Sequence, residues 1–203
     1  MSEKINRVQL INDAKLQLSP WTTEDGRLFL DYTEAGVRRT LTITPAGHCD
    51  FRGWFTSFCV DQVNIVPGGD LLNSAQTYFA HWVRSQGRKV KDFIRIGGKV
   101  GELYIDIGND ANDAWCISPS GITKLPGGPT HIRMLRGAGM LPLVDPDLSA
   151  PASEFPELLK DFIAADEDSL MLLTAWLLGC LRPEGPYPVY ESEQQLETPG
   201  YRT

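Results

Sequence analysis

The chain has 203 residues, 42% of them hydrophobic, with five Trp and eight Phe, which is apolar material for one large domain or two small ones. Its net charge of −7 is uneven: residues 145–203 carry 12 acidic and 3 basic side chains and residues 1–144 carry 14 and 16, which excludes a general nucleic-acid coat and leaves room for a local basic patch. Cys49, Cys59, Cys116 and Cys180 are far apart with no CxxC pair, the N-terminus MSEKINRVQL is polar and no membrane span appears, so the expectation is a reduced, cytoplasmic protein with no membrane partner.

Residues 1–24 are polar, with Val8, Leu10 and Ile11 able to start a short helix or strand. Arg27–Tyr32 alternates with a period of two and reads as a strand, with Leu28 and Leu30 on one face and Phe29 and Asp31 on the other. Arg38–Thr44 reads as a second strand, joined to the first by the polar turn Thr33–Gly36 as a hairpin. Asp50 is placed to cap a helix in which Phe51, Trp54, Phe55, Phe58 and Cys59 form an aromatic stripe. Asp70 is placed to cap a longer helix over about 71–85, with Leu72, Ala75, Tyr78, Phe79, Trp82 and Val83 inward and Gly87 at its end. Asp92–Ile96 reads as a strand followed by a Gly97-Gly98 turn. Glu102–Ile107 and Ala114–Ser118 make another hairpin, Pro126–Pro129 a loop, and His131–Leu135 a strand. The proline-rich stretch 142–152 is a candidate connector. Ser153 is placed to cap a helix carrying Phe155, Leu158, Leu159, Phe162 and Ile163. Leu170–Leu181 is apolar at nearly every position, which predicts a helix over 167–181 buried on all sides, with Trp176, Leu173 and Leu177 at its heart. Asp166, Glu167 and Asp168 suit its N-terminus, and Arg182-Pro183 ends it. Residues 190–203 read as a flexible tail.

The two hairpins resemble copies. G-R-L-F-L-D (26–31) with T-I-T-P-A-G (42–47) parallels G-E-L-Y-I-D (101–106) with C-I-S-P-S-G (116–121). Convergent turn chemistry and a true duplication both account for this. Asp31 and Asp106, equivalent in the two, read as hairpin-end turn residues in preference to a catalytic carboxylate pair, which needs the two within a few ångströms across a substrate. His48, His81 and His131 show no metal-ligand spacing, so neither a metal nor a cofactor is expected. Arg84, Arg88, Lys89, Lys91, Arg95 and Lys99 place six cations between positions 84 and 99, close in sequence to Tyr78, Trp82 and Phe93. That run reads either as a solvated face near a helix C-terminus or as a single-stranded nucleic-acid contact. No GxxxxGK[ST] loop occurs, which argues against ATP hydrolysis.

R-I-G-G-K-V-G-E-L-Y-I-D-I-G-N from Arg95, I-S-P-S-G from Ile117, G-M-L-P-L from Gly139 and A-W-L-L-G-C-L-R-P-E-G-P-Y-P from Ala175 carry a resemblance over about residues 8–189. The chain resembles the region preceding the ATPase module in helicase-primase-type replication proteins of phages and mobile elements. In that family the Pro-Tyr-Pro run leads into a strand and a Walker-A loop. Here Val189 is followed by Y-E-S-E-Q-Q-L-E-T-P-G-Y-R-T, so no catalytic residue carries over.

These observations predict an α+β fold: mixed α/β with repeated hairpins over 1–141, a connector over 142–152, and a helical part over 153–189. The resemblance implies a non-catalytic accessory domain of DNA replication, contacting single-stranded DNA or the replication complex. The alternatives are a small phage or mobile-element inhibitor occupying a host protein such as a defence effector, and an enzyme with a dispersed site.

Overall fold

The structure is a computed structural model and describes residues 6–189 apart from Ala138, Ala164 and Pro188. It is α+β, with two compact units, Met1–Leu143 and Val144–Thr203, divided inside the proline-rich stretch. Among the described residues no helix is long and apolar enough to cross a membrane. The tail expected over 190–203 lies outside the described residues.

The first unit begins with α1 (Arg7–Leu16), capped by the Asn6 carboxamide, which accepts from Val8 N and Gln9 N. The first sheet has the order β3-β2-β1-β4. In it β2 (Leu28–Glu34) and β3 (Val37–Ile43) form a hairpin closed by Ala35-Gly36. Both turn residues have positive φ, 49° and 81°, the requirement of a tight two-residue hairpin turn. The sequence pattern does not reveal β1 (Ser19–Thr22), which pairs antiparallel with β2. It has four residues, begins Ser-Pro, and buries only its last two, so it has no alternation to read. On its other side β1 pairs in parallel with β4 (Arg88–Lys89), which arrives only after two helices.

Those helices are α2 (Asp50–Val63) and α3 (Gly69–Gln86). The aromatic stripe of α2 lands as its spacing predicts: Phe51, Phe55, Phe58 and Cys59 are buried and Trp54 packs at the margin. They meet Phe79 and Val83 of α3 and the Leu28, Leu30, Leu41 and Ile43 face of the hairpin. The expected caps differ. Cys49 and Gly68 hold the N-cap positions without side-chain bonds. The Asp50 carboxylate instead accepts from Thr42 N and Oγ1, tying the helix start to β3. Gly87 follows α3 in extended conformation, and a Cβ there would lie 2.3 Å from the Val83 carbonyl oxygen, which only glycine avoids. Strand β2 buries four consecutive residues, Leu28 to Asp31. Its second face is covered too: Phe29 stacks on Trp21 at 4.4 Å, with Val90 in the same cluster.

The second sheet has the order β6-β7-β8-β9, formed by β6 (Ile96–Lys99), β7 (Glu102–Asp106), β8 (Ala114–Ser118) and β9 (Gly121–Leu125). Gly97-Gly98 is not a turn; it lies inside β6. A Cβ on Gly97 would come within 2.6 Å of the Phe93 ring, and one on Gly98 within 2.2 Å of the Glu102 carbonyl oxygen. The glycines mark close approach, and the chain reverses at Val100-Gly101, where Gly101 has φ 84°. Strand β9 is mostly exposed, which hides it from a burial pattern. A two-stranded sheet pairs β5 (Asp92–Phe93) in parallel with β10 (Arg133–Met134).

The repeated hairpins share one register. Leu28, Phe29, Leu30 and Asp31 face Ile43, Thr42, Leu41 and Thr40; Leu103, Tyr104, Ile105 and Asp106 face Ile117, Cys116, Trp115 and Ala114.

The second unit contains α4 (Glu154–Lys160) and α5 (Glu167–Cys180), which pack on each other. Ser153 precedes α4 but makes no capping bond. Asp166 caps α5 by accepting from Ser169 N at 2.8 Å. The expectation of all-round burial is corrected. Leu170 and Leu173 are buried, Trp176 is half-buried, and Met171, Leu172 and Leu178 are 70%, 72% and 62% exposed. Apolar composition alone sets a demand for cover, and α4, itself without a buried residue, is too short to meet it.

Candidate functional site

The six-cation run does not stay together. Arg84 is exposed in the last turn of α3, where a cation suits the helix dipole. Arg88 and Lys89 form β4, the outer strand of the first sheet, and are exposed. Lys91 lies over the Phe93 ring at 5.6 Å. Arg95 is structural: its guanidinium donates to the carbonyls of Asp106, Ile107 and Leu141. Lys99 pairs with Glu102 across the β6–β7 turn at 3.2 Å. Of the aromatics near this run, Tyr78 is exposed on α3 with Lys15 over its ring at 6.0 Å, and the other two are committed to packing. Phe93 is buried with Tyr104 and Ile132, and Trp82 covers the main core with Lys15 above its ring at 5.0 Å. Strand β4 itself therefore offers cations without a base-stacking platform.

Asp31 lies inside β2 and is not a turn residue; Asp106 does end β7 and accepts from Gly108 N two residues on, but it is more than a turn residue. Both are buried, and each is paired with an arginine from one short segment. Arg133 Nε donates to Asp31 Oδ2 at 2.9 Å, and Trp21 Nε1 and Thr40 Oγ1 donate to Oδ1 at 2.8 and 2.7 Å. Arg136 Nε and Nη2 grip both oxygens of Asp106 at 2.9 and 2.7 Å, and Gly108 N donates to Oδ1 at 3.0 Å. A strand-end aspartate resembles a turn residue in sequence because its partner lies 102 or 30 residues away. The two carboxylates hold cations and do not face one another as an acid–base pair.

Beside these pairs is a cleft of about 280 Å³. Arg38 and Arg39 of β3 line it together with Arg133, Arg136, Asp50 and Asp106. Arg39 Nε is 3.4 Å from the exposed Glu34, and its Nη1 donates to the Asp110 carbonyl. Arg38 is different. Its Nη2 donates to the Pro129 carbonyl at 3.2 Å, and among the described residues no carboxylate is within ion-pair distance. Burial first, and then the neighbouring Arg133 guanidinium, hold Arg38 below the ordinary arginine value. The PGGP loop closes this end, with Gly127 and Gly128 at φ 72° and 70°, and Gly127 N donates to Asp113. These arginines escaped the sequence reading because they lie in two segments more than 90 residues apart. The available signal was the three-residue spacing of Arg133 and Arg136 after two hairpins with matched aspartates.

The remaining candidates have structural employment. His48 and His81 are exposed, and His131 meets the Tyr104 ring edge-on at 5.3 Å. Cys59 is fully buried and burial raises its thiol pKa, so it stays protonated and unreactive near neutral pH. Asp166 is held low by the capping bond from Ser169. Among the described residues no group of three or more His, Cys, Asp or Glu could hold a metal ion. No family model, curated protein or solved structure matches the chain.

Proposed function

We propose that the chain is a non-catalytic accessory module of phage or mobile-element DNA replication that contacts the phosphate backbone of single-stranded DNA along the β4 edge. The supporting observation is that Arg84 at the end of α3 and Arg88 and Lys89 on β4 are exposed, with no carboxylate within ion-pair distance among the described residues. Lys91, over the Phe93 ring, follows them in sequence, whereas Arg95 and Lys99 leave the contact set. The resemblance to helicase-primase-type proteins supplies the replication context. Without aromatic stacking, affinity comes from counterion release and is indifferent to sequence.

Four phosphate contacts give a log–log salt slope of about −3, on the order of a 50-fold loss between 50 and 200 mM salt. Fluorescence anisotropy with a labelled oligonucleotide measures it. Arg88→Glu, Lys89→Glu and Lys91→Glu together should abolish binding and leave stability nearly unchanged. Wild-type protein that binds no DNA at 50 mM salt overturns the reading. In that event the second reading gains, an inhibitor that occupies a host protein, which the exposed Met171, Leu172 and Leu178 of α5 favour.

A further inference from the structure

The cleft between the repeated hairpins has a chemistry of its own. Four guanidiniums and two carboxylates line it, and two further carboxylates, Asp31 and Glu34, pair with Arg133 and Arg39. Asp31 is outside the lining and already accepts from Arg133, Trp21 and Thr40. Arg38 is the decisive group. It is partly removed from water, lies beside the Arg133 guanidinium, and donates to a backbone carbonyl, while the Asp31 carboxylate acts on it only from beyond ion-pair distance. A charge taken from water without a counter-charge is costly. Arginine is also the side chain whose planar fork of donors fits a tetrahedral oxyanion. Among the described residues, Arg38 Nε and Nη1 and Arg133 Nη2 have no hydrogen-bond acceptor, so donors remain to spend.

We propose that this cleft binds a phosphate monoester, with Arg38 as the principal contact and Arg133 beside it. Geometry selects phosphate over a carboxylate: a monoester offers three strong acceptor oxygens to the donors left on Arg38 and Arg133. Size limits what is attached. At about 280 Å³ the cleft is just below the roughly 300–1,000 Å³ of drug-sized pockets, so it holds a phosphate with little more than a sugar. The site is separate from the proposed DNA contact. Arg38 is on β3 and Arg88 on β4, opposite edges of a four-stranded sheet, about 14 Å apart at the usual strand spacing. Failure of one reading leaves the other intact.

The test titrates the whole chain with inorganic phosphate and follows melting temperature against sodium chloride at equal ionic strength. Phosphate should raise Tm above the chloride control, and the effect should fade as pH drops through about 7, where the inorganic dianion takes up a proton, a step that lies at about 6 for a monoester. Arg38→Gln should weaken phosphate binding about tenfold or more, the loss expected for a charge-assisted hydrogen bond. The Arg88→Glu/Lys89→Glu variant should bind phosphate as wild type does. In parallel, arginine Nε–Hε resonances of the wild-type protein should shift on titration, a readout that does not depend on any variant folding. Deoxyadenosine monophosphate binding more tightly than inorganic phosphate, with deoxyadenosine silent, identifies a nucleotide as the source; equal affinities identify free phosphate. Equal melting temperatures in phosphate and chloride, immobile Nε–Hε resonances, or undiminished binding by a folded Arg38→Gln protein would each overturn the assignment.

Discussion

Replacing Arg136 with Met should damage the protein more than replacing its partner Asp106 with Asn. The carboxylate is the deeper member of the pair, with its side chain 2% exposed against 27% for the guanidinium. Without Arg136, Asp106 is a buried charge left with one backbone donor, Gly108 N. Removing one partner of a buried pair costs about 3–5 kcal/mol, and the bond from Arg136 Nη1 to the Asn109 carbonyl goes with it. With Asn at 106, Oδ1 can still accept from Gly108 N and the arginine can reach water. That loss is nearer about 1–3 kcal/mol. Urea unfolding of both single variants and the double variant, monitored by tryptophan fluorescence, gives the asymmetry and the coupling energy. A loss of 3–5 kcal/mol is a large part of the about 5–15 kcal/mol available to a natural domain. The same series on Arg133 and Asp31 should show a smaller penalty for Arg133→Met, because Asp31 keeps donors from Trp21 and Thr40. An Asp106→Asn variant as unstable as Arg136→Met would refute the idea that the depth of the carboxylate sets the cost.

Phe55→Ala removes a side chain with no exposed surface from the junction of α2, α3 and β2–β3; chemical denaturation should register a loss of about 3–5 kcal/mol. Gly98→Ala drives a methyl group against the Glu102 carbonyl and should cost about 1–3 kcal/mol, whereas a neutral result would mean that β6 and β7 are not so closely apposed. Asp113 is held below its ordinary value of 3.8, first by the Asn109 amide and then by Gly127 N. A depressed folded value stabilises above 3.8 and loses that contribution as pH falls through the lower one, so Asp113→Asn should be less stable than wild type at pH 7 and converge on it in acid. Met171→Glu on α5 alters a residue 70% exposed and should change stability by no more than about 0.5 kcal/mol; a collapse in melting temperature would show that this face is covered.

Local rules reached as far as local forces do. The α2 stripe and both hairpins could be read because their periodicity and turn residues answer to neighbours a few positions away. The Gly97-Gly98 pair misled because glycine serves turns and close approach alike, and only the Phe93 ring and the Glu102 carbonyl show which applies. Asp31 and Asp106 misled for a related reason: what distinguishes a buried ion pair from a turn is a cation brought from far along the chain. The α5 sequence stated how apolar the helix is, but the amount of chain available to wrap it is a property of the whole second unit. The six-cation run split because one contiguous stretch crosses a helix end, a sheet edge and a β-turn. The arginine cleft was least legible, since its arginines come from two distant segments and neither is unusual alone.

Arg133 and Arg136 are three residues apart, yet they neutralise aspartates in two separate hairpins. This makes the segment a clasp, and it bears on how the first unit folds. Each hairpin closes locally, but its aspartate remains without a cation until residues 133–136 have been delivered. The link to Asp31 spans 102 residues, so its loop-closure cost falls late, after nearby contacts have been made. The hairpins, alike in sequence and register, therefore should not behave as independent modules that melt in turn. Releasing the clasp exposes both buried carboxylates at once, which ties the two sheets into one cooperative transition.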